Sequence, residues 1–359
     1  ELGAGTRLAC QTRLHEDTAV EIPESSMPLG KNQILAGRSA SGSAAADPPV
    51  RPLFVKMPVP TLADDRPDAE RLLESARAES IEPALLYELP GLLRGHDFQG
   101  TAIVASGRVI DFVGGAAEPP CLAAAFDVGT TTLVGELLDL RTGAIRGFAS
   151  RMNPQTVFGD DVLSRITHAS RGPEALREVH NTVVSALNDM LAEMSGRAGV
   201  TVKSIYEVAV SGNTTMEHLF AGLNPNALGL VPFVPVARRG LTLEPVRTGV
   251  AMNPRGRVYV LPVIGGFVGG DTVAGIAATG LGEAERPALL IDIGTNGELA
   301  LIHNGRLSAT SCAAGPAFEG ARISCGMRAA AGAIEAVDLG DDVQATTIGG
   351  VPPIGLCGS

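Results

Sequence analysis

The chain has 359 residues, of which 45% are hydrophobic, so it is long and apolar enough for two or three domains with packed cores. Its formal net charge of −11 argues against a nucleic-acid surface, because such surfaces cluster Lys and Arg. No signal peptide is visible, and the longest uncharged apolar run, residues 258–270, is shorter than the roughly 20 residues that span a bilayer. Five scattered cysteines without a Cys-x-x-Cys pair favour a reducing cytoplasm.

Three segments of different composition come first. Residues 1–26 are predicted to form a short β unit. Residues 27–51 are rich in Ser, Gly, Ala and Pro, which predicts a flexible linker. Residues 52–118 are predicted to form a small α/β domain with a hairpin that turns at Ser106-Gly107. The chain starts without Met and stops just after a strand and a glycine turn, so we expect a piece of a longer protein.

The pattern changes at residue 119, and residues 119–359 are predicted to form a larger α/β domain. It opens with a buried strand ending in "FDVG" and continues with a hairpin about Arg141-Thr142-Gly143. Residues 173–197 predict a long amphipathic helix, because apolar residues recur at three- and four-residue spacing.

One phrase occurs twice in this domain. Residues 126–133 read "FDVGTTTL" and residues 291–299 read "IDIGTNGEL". In both places an apolar strand, an Asp, a glycine turn, a second strand, a short Gly-containing turn and a third strand follow one another. Because whole units of this kind seldom recur by chance, we interpret them as an internal duplication.

The duplicated turn has the chemistry of a phosphate site. Glycine lets the backbone approach a ligand closely, and the following N–H groups and Thr hydroxyls are anion donors. Asp127 and Asp292 cannot bind phosphate directly, but they can orient Mg²⁺ through water and also the attacking water itself. None of the three lysines of the chain stands in a P-loop, which excludes that class of ATPase. Two such turns face to face would clamp a triphosphate.

Two groups of residues are therefore assigned to the phosphates. The predicted contacts are Gly129, Thr130, Thr131 and Thr132 from the first turn, and Gly294, Thr295 and Asn296 from the second. Glu298 is either a residue that polarises the attacking water or an ordinary carboxylate on a strand surface, and the sequence leaves both open.

These phrases resemble the phosphate motifs of the ASKHA superfamily of actin, sugar kinases and heat-shock chaperones. Residues 208–222, "VAVSGNTTMEHLFAG", are similar to its first connecting segment, and "PIGLCGS" at the end resembles the start of its adenosine motif. The resemblance implies a duplicated ribonuclease-H-like α/β core, here with a truncated second lobe, hinged over ATP and Mg²⁺. By the same analogy Gly269, Gly270 and Asp271 lie near the nucleotide, and Gly355 and Gly358 approach adenosine.

Longer phrases resemble one family within the superfamily. They are "MNPQTVFGDDVLSRI" (152–166), "SGNTTMEHL" (211–219), "GGFVGGDTVAGI" (265–276) and "AAGPAFEGARISCGMRAAAGAI" (313–334). That family is the reductive activators of corrinoid-dependent methyltransfer proteins, and the resemblance covers essentially the whole chain.

The first residues resemble the tail of a plant-type ferredoxin domain. Cys10, in "LACQ", matches the fourth ligand of a 2Fe-2S cluster in that family, whose other three ligands would precede residue 1. Taken alone, Cys10 is as compatible with a buried, inert cysteine. The resemblance therefore implies a cluster in the full-length protein only, with residues 1–26 as the remnant of a β-grasp domain.

The resemblance implies a function in repair. Such activators return an electron from the 2Fe-2S cluster to a corrinoid protein whose Co(I) has been oxidised to Co(II), and ATP hydrolysis drives the step. The implied partners are the corrinoid methyl-carrier protein, a low-potential electron donor and a second copy of the chain, in the cytoplasm, with no nucleic acid and no membrane. ATP-hydrolysing activity is expected of Asp127, Asp292 and Glu298.

Other functions remain open from the sequence. They are a small-molecule kinase of the same superfamily, an activator of 2-hydroxyacyl-CoA dehydratases, and a non-enzymatic chaperone or filament module. The ferredoxin remnant and linker argue against all three, because none of them needs such a domain.

Several further residues have two interpretations. Asp160, Asp161 and Arg165 form either a helix N-cap with a surface ion pair or a carboxylate at the lobe hinge. His218 is interpreted as a packed histidine, since no metal-ligand partners are visible. The remaining cysteines lack ligand spacing and are interpreted as packing residues; they are Cys121, Cys312, Cys325 and Cys357.

Overall fold

The computed structural model describes residues 48–294, 296–313, 324–327, 332–339 and 343–357. One compact unit ends at Gly315, and the described residues beyond it belong to a second unit. Within the described ranges, no helix combines the length and the apolar character that a membrane crossing requires.

A small sheet with three helices comes first. Its elements are β1 (Val50–Lys56), α1 (Asp68–Ala76), β2 (Ser80–Ile81), α2 (Pro83–Leu86), α3 (Leu89–Gly95), β3 (Gln99–Ala105) and β4 (Arg108–Gly114). The strand order is β1-β3-β4-β2. The predicted hairpin turn at Ser106-Gly107 is confirmed, and both residues have positive φ. Leucines of the three helices pack against the sheet and form its core.

A six-stranded sheet follows. Its strands and helices are β5 (Leu122–Val128), β6 (Thr132–Asp139), β7 (Ile145–Met152), α4 (Val162–Ala169), α5 (Pro173–Arg197), β8 (Ile205–Gly212), α6 (Thr214–Phe220), β9 (Leu241–Leu243), α7 (Pro245–Thr248) and β10 (Arg257–Val260). The order is β7-β6-β5-β8-β10-β9. β5, β8 and β10 run parallel, and β6, β7 and β9 pair antiparallel with their neighbours. The carboxyl ends of β5 and β8 therefore meet at one edge.

The predicted helix over residues 173–197 is confirmed with the same bounds. Its apolar stripe, which includes Val183, Leu187 and Met190, is fully buried against the sheet. Burying each such side chain contributes about 1.5–3 kcal/mol. The helix approaches β7 closely: a Cβ on Gly147 would lie 3.2 Å from the Cβ of Met194. This packing fixes the β5–β6–β7 hairpins as a rigid base for the first turn.

A second three-stranded meander completes the first unit. Its elements are α8 (Gly270–Thr279), β11 (Ala288–Ile293), β12 (Asn296–His303) and β13 (Arg306–Ala313). All three strands pair antiparallel, as β5, β6 and β7 do. Asp127 lies next to the last residue of β5, and Asp292 takes the same place in β11. The predicted α/β class and the duplicated strand–turn–strand unit are confirmed.

The second unit contains a four-stranded sheet of its own. Its strands are β14 (Gly326–Met327), β15 (Ala333–Leu339), β16 (Val343–Thr347) and β17 (Gly355–Cys357), in the order β14-β17-β15-β16.

Of Cys121, Cys312 and Cys325, the structure confirms the interpretation as a packing residue for Cys121. Cys121 is fully buried, and burial raises the pKa of its thiol to about 12. Cys312 and Cys325 are exposed, so the interpretation as packing residues is wrong for these two. The side chain of Cys312 instead lies on a strand surface, where its thiol donates to the carbonyl of Gly297.

Candidate functional site

The first turn joins β5 to β6 immediately after Asp127. The N–H of Gly129 donates to the carbonyl of Thr132 at 2.9 Å, which closes the turn. A Cβ on Gly129 would lie 2.8 Å from that same oxygen, so only glycine fits this position without a shift of the turn.

Three successive carbonyls of this turn are held inward by hydrogen bonds. The oxygen of Gly129 accepts from Asn153 Nδ2 at 2.8 Å, and that of Thr131 accepts from the Asn153 N–H at 2.8 Å. The oxygen of Thr130 accepts from Arg165 Nη2 at 2.6 Å. In a trans peptide the C=O and the next N–H point in opposite directions. The three threonine N–H groups that follow are therefore directed away from these anchors, as an anion cradle requires.

The second turn joins β11 to β12 and repeats the closure. The N–H of Gly294 donates to the carbonyl of Asn296 at 3.1 Å. Asp292 is paired in register with Glu298 on the neighbouring strand. Glu298 is largely buried and accepts from the Ser311 hydroxyl at 2.9 Å, so its interpretation as a strand-surface carboxylate is wrong.

A third glycine turn lies at the start of α8 and packs against the end of β8. A Cβ on Gly269 would lie 2.4 Å from the carbonyl oxygen of Gly212 and 2.5 Å from the N atom of Thr214. The loop after β8 also contacts the first turn, since Asn213 Nδ2 donates to Thr130 Oγ1 at 3.0 Å. The start of α8 is thereby joined to the first turn through backbone and side-chain packing.

Carboxylates from three turns interact electrostatically. Burial, together with the charges of Asp271 and Asp292, raises the pKa of Asp127 to about 6. The pKa of Asp271 is raised by burial and by Asp292, against hydrogen bonds from Thr272. The pKa of Glu298 is also raised, mainly by burial and further by the charges of Asp271 and Asp292. The side chain of Asp127 is accessible to solvent although much protein surrounds it.

These residues fit a magnesium nucleotide. The clustered carboxylates repel one another, which a divalent cation would relieve. Among the described residues, no three or more His, Cys, Asp or Glu side chains are placed to chelate a metal ion together. In nucleotide sites Mg²⁺ usually keeps several waters and is bound by one or two carboxylates together with the phosphates.

Family descriptions match almost the whole chain. "RACo linker region" matches residues 40–119, "RACo middle region" residues 122–284, and "C-terminal domain of RACo the ASKHA domain" residues 286–359. The chain belongs to the RACo family. The predicted kinship with reductive activators of corrinoid proteins is thus confirmed.

Individual relatives agree with the RACo family. The corrinoid activation enzyme RamQ of Eubacterium limosum is 39% identical over 276 residues, which are 76% of this chain and 45% of RamQ. A "[Co(II) methylated amine-specific corrinoid protein] reductase" of Methanosarcina barkeri is 27% identical over 58% of this chain and 39% of its own. A solved structure titled "Reductive activator for corrinoid,iron-sulfur protein" is 35% identical, with a TM-score of 0.80 over 94% of this chain and 57% of its own. The chain spans less than half the length of the curated relatives.

In residues 152–166, the predicted helix N-cap is confirmed and the predicted surface ion pair is wrong. Asp161 is the N-cap of α4, because its carboxylate accepts from the Ser164 N–H at 2.8 Å, as expected. Arg165 makes no surface ion pair: it is fully buried, and its nearest acceptors are carbonyls. Asp160 is exposed. The predicted surface pair is wrong because a helix residue was assigned to solvent by its charge alone.

His218 is a packed histidine, as predicted. Its Nδ1 donates to the carbonyl of Thr214 at 2.7 Å, and its Nε2 accepts from the Val236 N–H at 3.0 Å. Burial lowers its pKa, against the hydrogen bond to Thr214. Each ring nitrogen of the neutral imidazole therefore has a hydrogen-bond partner.

Four predicted site residues stay predictions. Cys10, Thr295 and Gly358 lie outside the described residues. Gly355 lies in β17 of the second unit, where a Cβ would come within 2.6 Å of the Cys325 carbonyl oxygen. Its adenosine contact stays a prediction.

The sequence analysis missed the residues that support the turns. Asn153 and Asn213 anchor the first turn, and Glu217 packs against Gly270, whose Cβ would lie 2.0 Å from Glu217 Oε1. All three lie in family phrases that served only as a signature. The sequence did offer a signal: each is an amide or carboxyl side chain within a mostly apolar stretch that forms a helix or strand. Such a side chain needs a specific hydrogen-bond partner once it is buried.

Proposed function

We propose that the protein to which this chain belongs reactivates a corrinoid protein by ATP-dependent reduction. One electron passes from a reduced 2Fe-2S cluster to Co(II), which gives Co(I) and the oxidised cluster, and a low-potential donor reduces the cluster again. ATP and water give ADP and phosphate in the coupled step. Membership of the RACo family and the names of its relatives support this substrate class.

The observation that carries the ATP part is the cluster of Asp127, Asp271 and Asp292 at three glycine turns. Bound Mg²⁺ would supply charge neutralisation for the phosphates. Asp127 and Asp292 would orient its water ligands, the two duplicated turns would hold the phosphates, and Glu298 would orient the attacking water. Burial raises the pKa of Glu298, which makes it a stronger proton acceptor than an exposed carboxylate.

The iron–sulfur part rests on Cys10 alone, which lies outside the described residues. We propose the cluster for the full-length protein, with Cys10 as its fourth ligand. The corrinoid methyl-carrier protein and the electron donor are its proposed partners.

The test uses the full-length protein, a Co(II) corrinoid protein and a low-potential reductant. Loss of the Co(II) absorbance is expected to require Mg·ATP in the wild type. Asp127→Ala and Asp292→Ala should lose this ATP dependence by a factor of about 100 or more while they keep the cluster absorbance, because electrostatic groups of this kind contribute on that order.

The matched control is Asp189→Asn. Asp189 is an exposed carboxylate on α5 whose ion pair within the described part of the chain is with Arg151 at 3.6 Å, so its loss should leave cobalt reduction unchanged. If both aspartate variants reduce cobalt with the wild-type ATP dependence, the proposed ATP site is wrong. If the wild type needs no ATP, the proposed coupling is wrong.

A further inference from the structure

Arg165 is a fully buried arginine behind the first turn. It lies on α4 and joins three segments of the chain. Its Nε donates to the carbonyl of Gly159 at 2.9 Å, its Nη2 to the carbonyl of Thr130 at 2.6 Å, and its Nη1 to Met216 Sδ at 3.2 Å. The guanidinium therefore touches the phosphate turn, the entry to α4 and the helix that follows β8.

The charge of this group has no close counterion. In the part of the chain that the structure describes, the side-chain hydrogen bonds of Arg165 go to two carbonyls and a thioether and to no carboxylate. Burial lowers its pKa to about 10, and the charges of Asp160 and Asp161 oppose this shift, so the group stays protonated at neutral pH. A buried, unpaired charge is costly. A fold that keeps one next to an anion cradle is expected to use it.

The position of this charge matches what the turn lacks. P-loops place a lysine on the phosphates from the ligand side. Here the first turn has no lysine, and the guanidinium lies on the opposite side of the same backbone. By pulling the Thr130 carbonyl inward, it also directs the next N–H outward.

We propose that Arg165 is a positioning residue for the nucleotide phosphates, which orients the first turn and supplies its positive charge from behind. This inference rests on the proposed function, because it takes ATP as the ligand of that turn. A residue that only packed the core would affect every ligand of the protein alike. A residue that acts on the phosphates would affect ligands in proportion to the phosphates that reach the turn.

The test compares Mg·ATP with AMP, which lacks the β- and γ-phosphates. Dissociation constants for the full-length protein are measured by calorimetry, without turnover. Arg165→Met keeps much of the side-chain volume and removes the charge. It is expected to weaken Mg·ATP binding by about tenfold or more, because one partly screened charge near the phosphates is lost. AMP binding is expected to weaken by less than about twofold.

Arg165→Lys provides a second variant if the methionine variant does not fold. Lysine keeps the charge but cannot reach both carbonyls in the fixed fork of arginine. A selective loss of Mg·ATP affinity, smaller than about tenfold, supports the proposal. Equal losses for Mg·ATP and AMP overturn it.

Arg141→Met is the matched control. Arg141 also donates to a backbone carbonyl, that of Pro119 at 2.6 Å, but it lies at the other end of the β6–β7 hairpin. Its loss should change neither dissociation constant. If the wild type binds Mg·ATP and folded Arg165→Met keeps the wild-type ratio of the two constants, this inference fails alone. If the wild type does not bind Mg·ATP, the proposed function itself fails.

Discussion

Glu217 carries a buried carboxyl group beside the start of α8. It is 3% exposed, and its Oε1 has no hydrogen-bond partner among the residues that the structure describes. Burial and, to a smaller extent, the charge of Asp271 raise its pKa from 4.5 to about 9, against hydrogen bonds from the backbone amides of Gly270 and Gly212. The carboxyl group is therefore protonated in the folded protein at neutral pH, while it ionises in the unfolded chain.

This difference predicts a pH-dependent effect of Glu217→Gln. Below pH 4.5 the wild-type group is protonated in both states. As the pH rises towards 9, the unfolded chain loses this proton and the folded protein keeps it, so wild-type stability falls. The amide cannot ionise, so the variant gains relative to the wild type by up to a few kcal/mol between pH 5.5 and 8. Urea denaturation at both pH values measures this gap.

The exposed carboxylate of Glu174, in the first turn of α5, offers the control for that measurement. Glu174→Gln should shift the urea midpoint by the same small amount at pH 5.5 and 8. A gap between Glu217→Gln and the wild type that does not change with pH would show that Glu217 is already ionised in the folded protein.

At the scale of elements, the start of α8 depends on close contact with the end of β8. Gly269 has a φ of −92°, which any residue can adopt. Glycine is therefore required here because there is no space for a side chain, and not because of the backbone conformation. A Cβ there would meet backbone atoms of residues 212–214 at 2.4–2.5 Å. Those atoms belong to the β8–α6 junction, which also holds Thr130 through Asn213.

Gly269→Ala is therefore expected to push α8 away from this junction. The overpacking should cost about 1–3 kcal/mol of unfolding free energy and weaken Mg·ATP binding at the same time. Gly196→Ala is the control, because that glycine lies within α5 with no atom within 4 Å of its Cβ position. This control should stabilise the protein by about 0.5–1 kcal/mol. Wild-type stability and Mg·ATP affinity in Gly269→Ala would contradict the proposed packing.

The sequence predicted these elements where the signal was local. Asp127, its glycine turn and the two hairpin strands follow one another within a few residues, and the duplication repeated the same pattern at Asp292. The anchors of the turn are not local. Asn153 and Arg165 reach back 24 and 35 residues, and their role depends on where α4 packs. Charged helix residues are mostly exposed, so sequence reasoning placed Arg165 in solvent.

At the scale of the whole first unit, the small sheet and the six-stranded sheet share a core. Val50, Ile103 and Ile110 of the small sheet pack with Cys121 and Tyr206 of the larger one. The sequence predicted both sheets but not this contact, because strands that are distant in the chain carry no mutual signal in a single sequence.

A buried polar group lies at the same junction. Asp111 of β4 accepts from the Tyr206 hydroxyl at 2.9 Å and from Arg255 at 2.5 Å, and Arg255 also pairs with Glu88 at 2.9 Å. Burial and the Asp111 charge raise the pKa of Tyr206, which keeps its hydroxyl a donor. The carboxylate of Asp111 in the small sheet thus binds both Tyr206 of β8 and Arg255, which precedes β10.

Asp111→Asn keeps the shape of this group and removes its charge, so Arg255 loses a charge-assisted bond inside the junction. Since hydrogen bonds to charged groups contribute about 1.5–3 kcal/mol, the small sheet should dock more weakly by that amount. Calorimetry should then show an earlier transition for the small sheet, and hydrogen exchange should rise in β3 and β4. Arg108→Gln removes an exposed ion pair with Glu82 and an exposed hydrogen bond to Ser80 Oγ, and it should leave the unfolding profile unchanged. If Asp111→Asn unfolds with the wild-type profile, the charge of Asp111 adds no stability to the junction of the two sheets.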